Sequence, residues 1–593
     1  MKFGFVVCAV LGFGASCFAL DREAFTFTQY DLQVRLEPEQ QRIGVRGTMT
    51  LRNDSAVPQK NATLQISSSL TWRSIQFGGK PLQFVSQPYE SDIDHTGELS
   101  EAIVALPKEI APGRTAELTI GYEGVIALDA TRLTRIGMPK EQAIHSDWDE
   151  IGAEFTAVRG VGNVVWYPVA TEAANLSEGS SLFETLGRWR RRELSAEMKI
   201  ELIHSPGSGG TAATLLCSQE GRRLIEDGGA AQGEETDCEF RPLGLRVPAF
   251  ILGDYKILET TTLRVAYRPE HAPNAEKFAQ AAADASSFVT GWFGAGREKV
   301  LVAELRDPGA SPFESGTLLL TPLADTDPKL LRTVLVHELT HAAFASNRPW
   351  IYEGLAHFAQ AAYRERQENR QAALDFLGLH RAAVVDAEKT VGARSKEAAG
   401  GEEALVSTAV DEFYRSKAAY VWWMLRDMIG EEALKKALAN YRPEHDTSAD
   451  FMPRLLQGES KRDLQWFFDD WVNHDRGLPD FRIESAFSRQ TSQGNYLVTI
   501  TVENLGEAGA EVPVTASFEG GELSERVEVR GKAKAVVRIS TPQPPREIVV
   551  NDGSVPESDM SNNVFRGNAS KKWISPGRPS GRTEFRVRWT PSE

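Results

Sequence analysis

The sequence predicts a multi-domain α+β protein with an N-terminal all-β domain, a mostly helical middle domain and a C-terminal β-sandwich. Three observations lead there. The chain has 593 residues, 41% of them hydrophobic and 25% charged, enough to bury several separate cores. Apolar residues recur with a period of two up to about Tyr267, with a helical period to about Asn473, and with a period of two again beyond Arg482. Charge is acidic, 66 Lys and Arg against 82 Asp and Glu for a net −16, which lacks the basic surface that a nucleic-acid partner requires.

Residues 1–19 read as an export signal: Lys2 gives a positive start, the run Phe3 to Leu20 is uncharged, and Cys17-Phe18-Ala19 forms a small-residue exit. A membrane anchor competes, but a run interrupted by Gly4, Gly12 and Gly14 is barely long enough to span, and no later segment qualifies. A lipid anchor on Cys17 is a second alternative, although Gly14 stands where such sites carry a bulky aliphatic residue. The expected location is therefore secreted or periplasmic, with no transmembrane span after signal removal.

The β domain is expected over 20–267, where Leu32 to Leu36 and Ala116 to Ile120 alternate strictly between breaks at Gly, Pro, Asn and Asp. Cys217 and Cys238 are the cysteines left once Cys8 and Cys17 depart with the signal. In an oxidising compartment they are expected to pair and staple one hairpin, with two free thiols as the alternative.

Over 268–480 the period is helical in Asn274 to Phe293 and Lys417 to Met428, with strand-like runs at Lys299 to Leu305 and Thr317 to Thr321. Strands return over 481–565, in Tyr496 to Val502, Val512 to Phe518, Arg526 to Val529 and Ala535 to Ile539. Residues 566–593, with seven Lys and Arg against two Glu and with Pro576, Pro579 and Pro591, read as a solvated basic tail; sorting or surface attachment is the sharper alternative.

The chemistry concentrates in the middle domain. Asp327-Pro328 offers a cap and a first-position proline, and Leu331, Val334, Leu335 and Leu339 supply a core-facing stripe, so His337 and His341 fall on one helix. Their spacing leaves them about 40° apart in azimuth and roughly 6 Å apart along the axis, close enough to share one ion. Glu338 projects from the shoulder of that face, poorly placed as a third ligand but able to act as a general base on an activated water.

A hydrolytic zinc site needs three protein ligands and an open position. After the breaker Ser346 to Pro349, a second helix presents Glu353, twelve residues past His341 with eleven between them, as the third. Two imidazoles and a carboxylate suit a single Zn²⁺. His357, four residues past Glu353, is expected to pack beside the ligands rather than close the site as a fourth.

His-Glu-x-x-His followed on a second helix by Glu-Gly-x-Ala resembles the gluzincin metallopeptidases of the MA clan, and more of the chain resembles the aminopeptidase N family within them. Gly309 to Pro322 occupies the place of that family's Gly-x-Met-Glu-Asn stretch, which makes Glu314 the match for the carboxylate that holds a substrate's α-amino group. Tyr414-Arg415-Ser416-Lys417 is similar to the family's Tyr-Glu-Lys-Gly segment, whose tyrosine stabilises the oxyanion; Tyr420 is the competitor for that role. Asp463 to Trp471, then Gly477-Leu478-Pro479, resembles the end of such catalytic domains.

The resemblance implies a thermolysin-like catalytic domain, a zinc cofactor and a peptide or protein substrate. The chain departs from the family in the shorter span between His341 and Glu353, in Phe313-Glu314-Ser315 for Met-Glu-Asn, and in Gln360 where relatives often keep a carboxylate. Two other classes stay open: an endopeptidase or other zinc hydrolase of the clan that does not use Glu314 as an anchor, and a non-catalytic surface protein whose β domains bind a partner. Oligomeric state is not legible.

Overall fold

The computed structural model describes residues 20–178, 181–204, 214–218, 223–224, 235–397, 404–408 and 410–566. The export signal expected over 1–19 and, apart from Arg566, the basic tail lie outside the described residues. None of the described helices is long and apolar enough to cross a membrane. The chain divides into two compact units, Met1–Ala282 with Glu298–Pro328, and Ala283–Arg297 with Lys329–Glu593.

The first unit is β-rich. Its largest sheet has eight strands, in the order 223–224, Glu235–Phe240, Glu197–His204, Phe25–Glu37, Arg42–Asn53, Thr115–Val125, Leu70–Phe77 and Lys80–Pro81. The alternation around Leu32 and Leu118 belongs to two of these strands, and Leu32, Val34, Leu118 and Ile120 all face the core. A three-stranded sheet (Gln59–Ser67, Glu98–Ile110, Phe84–Glu90) and a four-stranded one (Thr214–Cys217, Phe250–Gly253, Phe155–Val158, Glu150–Ile151) complete this β region.

Cys217 and Cys238 are disulfide-bonded with Cα atoms 6.4 Å apart. The bond does not staple a hairpin, because the two strands pair elsewhere: Thr214–Cys217 with Phe250–Gly253, and Glu235–Phe240 with Glu197–His204. It joins two different sheets.

The unit also holds a five-stranded sheet in the order Lys256–Glu259, Leu263–Tyr267, Val300–Glu304, Leu318–Thr321, Phe313–Ser315. Its three central strands are parallel, and the helix α1 (Ala272–Phe293) makes the crossover that a parallel pair needs. Both runs expected as strands before the histidine helix are present, and their residues are buried on both faces. Glu314 lies on the edge strand and is half-buried.

The second unit is helical and then β. Helix α2 (Pro328–Ala343) starts with proline at its first position, as Asp327-Pro328 predicts. Leu331, Leu335 and Leu339 are buried, but Val334 is only half so, and every residue from Leu335 to Ala343 is buried. That end of the helix is a core element rather than an amphipathic stripe. Helix α3 (Pro349–Gln367) opens on another first-position proline. Helix α4 (Arg370–Glu397), a six-residue π-helix Glu412–Lys417 and helix α5 (Ala418–Ile429) pack on it.

Gly354 is what lets α3 and α5 approach: a Cβ there would meet Ala418 Cβ at 2.6 Å. Trp350 stacks on Trp422 at 5.1 Å beside this contact, and the Trp422 indole donates to the Trp350 carbonyl.

Residues 481–566 form a three-stranded antiparallel sheet (Phe481–Gln490, Tyr496–Asn504, Lys534–Thr541) and a four-stranded one (Gly521–Val529, Ala510–Phe518, Glu547–Val550, Val564–Arg566). Polar contacts tie them to the helices: Arg370 with Asp552, Arg526 with Asp427, Arg381 with the Glu557 carbonyl, and the Trp471 indole with the Gly509 carbonyl.

Candidate active site

The two histidines of α2 turn their Nε2 atoms toward each other at 3.0 Å. Glu353 on α3 brings Oε2 to 3.8 Å from His337 Nε2 and Oε1 to 3.6 Å from His341 Nε2. One donor atom from each lies within 4.8 Å of the others, and all three residues are buried.

This donor set fits a metal ion. Zinc–nitrogen bonds of about 2.0–2.1 Å at a tetrahedral angle put two imidazole nitrogens about 3.3 Å apart, close to the spacing here. A buried carboxylate completes the set on the same side. The eleven-residue span is long enough for this, because the chain reverses between α2 and α3 at residues 344–348.

Glu338 follows His337 and is fully buried, on the helix that supplies two of the three donors. His341 is stacked by Tyr352 at 4.0 Å between ring centres. His337 is contacted edge-on by His357 at 4.7 Å, and His357 in turn by His380 of α4 at 5.0 Å. The Gln360 amide donates to the Thr333 carbonyl, so its oxygen faces His357 Nδ1 at 3.0 Å and accepts that proton. Burial, then the neighbouring His337, His380 and Arg415, hold His357 well below the usual imidazole range; burial, His337 and Arg415 lower His380 too. Both rings are neutral at pH 7 for that reason.

The π-helix packs against α3 and carries Tyr414 and Arg415. Tyr414 is buried and its hydroxyl donates to Asp411. Tyr420, the competitor, spends its hydroxyl on the Leu377 carbonyl at 2.8 Å. Arg415 Nε stands 3.6 Å from Glu353 Oε2. Next along the chain, Ser416 Oγ meets His380 Nδ1 at 2.9 Å. Lys417, almost wholly enclosed, donates to Glu388 at 2.5 Å and Asp475 at 2.7 Å. Burial opposes its charge, but the two carboxylates outweigh it and hold the ammonium above the ordinary lysine range.

Five of the expected site residues thus belong to the second unit: His337, His341 and Glu353 converge, Glu338 shares their helix, and Tyr414 is on a segment packed against α3. Glu314 belongs to the first unit. Arg415 and His380 were missed from sequence. Arg415 lies inside the quoted tyrosine segment, where its charge was the available signal; His380 sits in no motif.

Fold and site together define a multi-domain α+β chain with a buried His-His-Glu donor set. The chain is similar in structure to an aminopeptidase A from Legionella pneumophila crystallised with aspartic acid, at a TM-score of 0.57 and 12% identity, covering 90% of this chain and 59% of that one. It thus spans about 59% of the length of that enzyme. An M1 zinc metallopeptidase from Deinococcus radiodurans matches at 14% identity and a TM-score of 0.43, over 76% of this chain and 94% of that one. The first likeness is one of fold. No protein-family model matches the chain, and no curated protein does.

Proposed function

We propose that the protein is an exported zinc-dependent peptidase, acting as an aminopeptidase on N-terminal peptide bonds. The observation that carries this reading is the convergence of His337, His341 and Glu353 from two helices. These three would hold one zinc ion. When bound, zinc supplies Lewis acidity, which acidifies a water and polarises the scissile carbonyl.

The remaining steps belong to the protein. The Glu338 carboxylate takes the proton of the attacking water and passes it to the leaving amine. The Tyr414 hydroxyl turns from Asp411 to donate to the carbonyl oxygen as negative charge builds there. Neutral His357, backed by Gln360, packs against His337 and fixes its ring. The Glu314 carboxylate pairs with the substrate's free α-amino group, a role that rests on its match to the family stretch. The disulfide is consistent with an exported protein.

A peptide library incubated with purified protein, with chelator and with zinc restored, tests the reading. Cleavage at the first bond is expected, lost with chelator and in Glu338→Gln, with zinc content unchanged in that variant. N-acetylated peptides should be spared; their cleavage would instead indicate an endopeptidase. A zinc-loaded protein that cuts nothing in the library overturns the peptidase assignment.

A further inference from the structure

Arg415 stands out among the groups around the metal donors. The family segment that Tyr414 resembles continues with Glu, and this chain has the opposite charge at that position. The side chain as a whole is about one-third exposed, at 34%, while its Nε is buried on the side of Glu353. Its Nε is 3.6 Å from Oε2 of Glu353, the oxygen that faces His337, while Oε1 faces His341.

A carboxylate ligand can offer either oxygen and turn about its last torsion, which is broad. A cation fixed beside one oxygen narrows that choice, and a preset ligand pays less entropy on binding an ion. The backbone that carries Arg415 is held just beyond it. The two residues after it are tied, Ser416 to His380 and Lys417 to Glu388 and Asp475, within a π-helical turn of the kind common at functional sites.

We propose that Arg415 is a positioning residue that holds the Glu353 carboxylate in its ligating orientation. This rests on the zinc reading above. The guanidinium also opposes the ion by charge, so the sign of its effect on affinity separates the two roles.

The test is zinc affinity of the full chain, measured by competition with a chromophoric chelator, and the visible spectrum of the cobalt-substituted protein. Partners of this kind typically contribute 10–100-fold in metal affinity. Arg415→Gln and Arg415→Met should each weaken zinc by about tenfold and alter the cobalt bands, while the metal-free melting temperature stays near wild type. Arg415→Lys should recover part of the affinity, since it restores the charge without the planar fork. Affinity that is unchanged, or tighter, in Gln and Met overturns the proposal. A wild type that binds no zinc removes the metal site and this inference together, whereas equal binding by wild type and variants removes this inference alone.

Discussion

Replacing Lys417 by Met removes one buried cation and leaves two buried carboxylates facing each other. The ammonium donates to Glu388 at 2.5 Å and Asp475 at 2.7 Å, and side-chain exposures are 1%, 11% and 5%. Breaking a buried ion pair by deleting one partner costs about 3–5 kcal/mol, mostly the desolvated charge left behind. At about 2 °C per kcal/mol for a unit of this size, the calorimetric transition of the second unit should fall by roughly 6–10 °C at pH 8.

The loss should shrink toward pH 5. Burial and the neighbouring Asp475 already push Glu388 up despite Lys417, and without Lys417 it takes a proton more readily. The triple variant Lys417→Met with Glu388→Gln and Asp475→Asn should recover most of the loss, because no charge stays buried without a partner. A single-variant shift below about 2 °C, or a triple variant as unstable as the single one, would refute this account of the cluster.

Other outcomes follow from the same structure. Glu193 is buried against the Tyr30 hydroxyl and burial raises its pKa to about 8. The folded state therefore holds a proton there that the unfolded state has released from about pH 4.5, so stability is lost as pH rises toward 8. Glu193→Gln should flatten that fall by a few kcal/mol, on the order of 1.4 kcal/mol per pKa unit, as read from melting curves between pH 5 and 8.5; parallel curves would contradict it. Gly354→Ala should cost about 1–3 kcal/mol through its clash with Ala418 and should also weaken zinc, since the adjacent Glu353 moves with the backbone; unchanged zinc affinity would show the helix absorbs the methyl elsewhere. Cys217→Ser with Cys238→Ser should destabilise the first unit by about 2–4 kcal/mol without altering zinc affinity, checked by calorimetry and chelator competition.

What was legible in the sequence was local. Alternation at Leu32 to Leu36 and at Tyr496 to Val502 marks strands because each half-buried strand repeats every two residues. His337 and His341 share a helix face because four residues make about one turn, and Glu353 could be found because helix breakers and a proline frame its helix. Contacts made at long range were not legible. Glu197–His204 inserts in parallel beside Phe25–Glu37, which takes its strand away from the hairpin that two spaced cysteines suggest. Arg415 reaches Glu353, and His380 reaches His357, only because α4 and the π-helix fold back onto α3.

The C-terminal sheets act as a splint for the helices. A chain cut at about residue 480 would strip Arg370 and Arg381 of Asp552 and the Glu557 carbonyl, and would leave Trp471 without the acceptor at Gly509. Helix α4, which carries His380 and Glu388, would then be the first to loosen. Anyone seeking a minimal fragment that keeps the donor set should keep the β module attached, since what looks like a detachable passenger is clamped to the scaffold behind His337, His341 and Glu353.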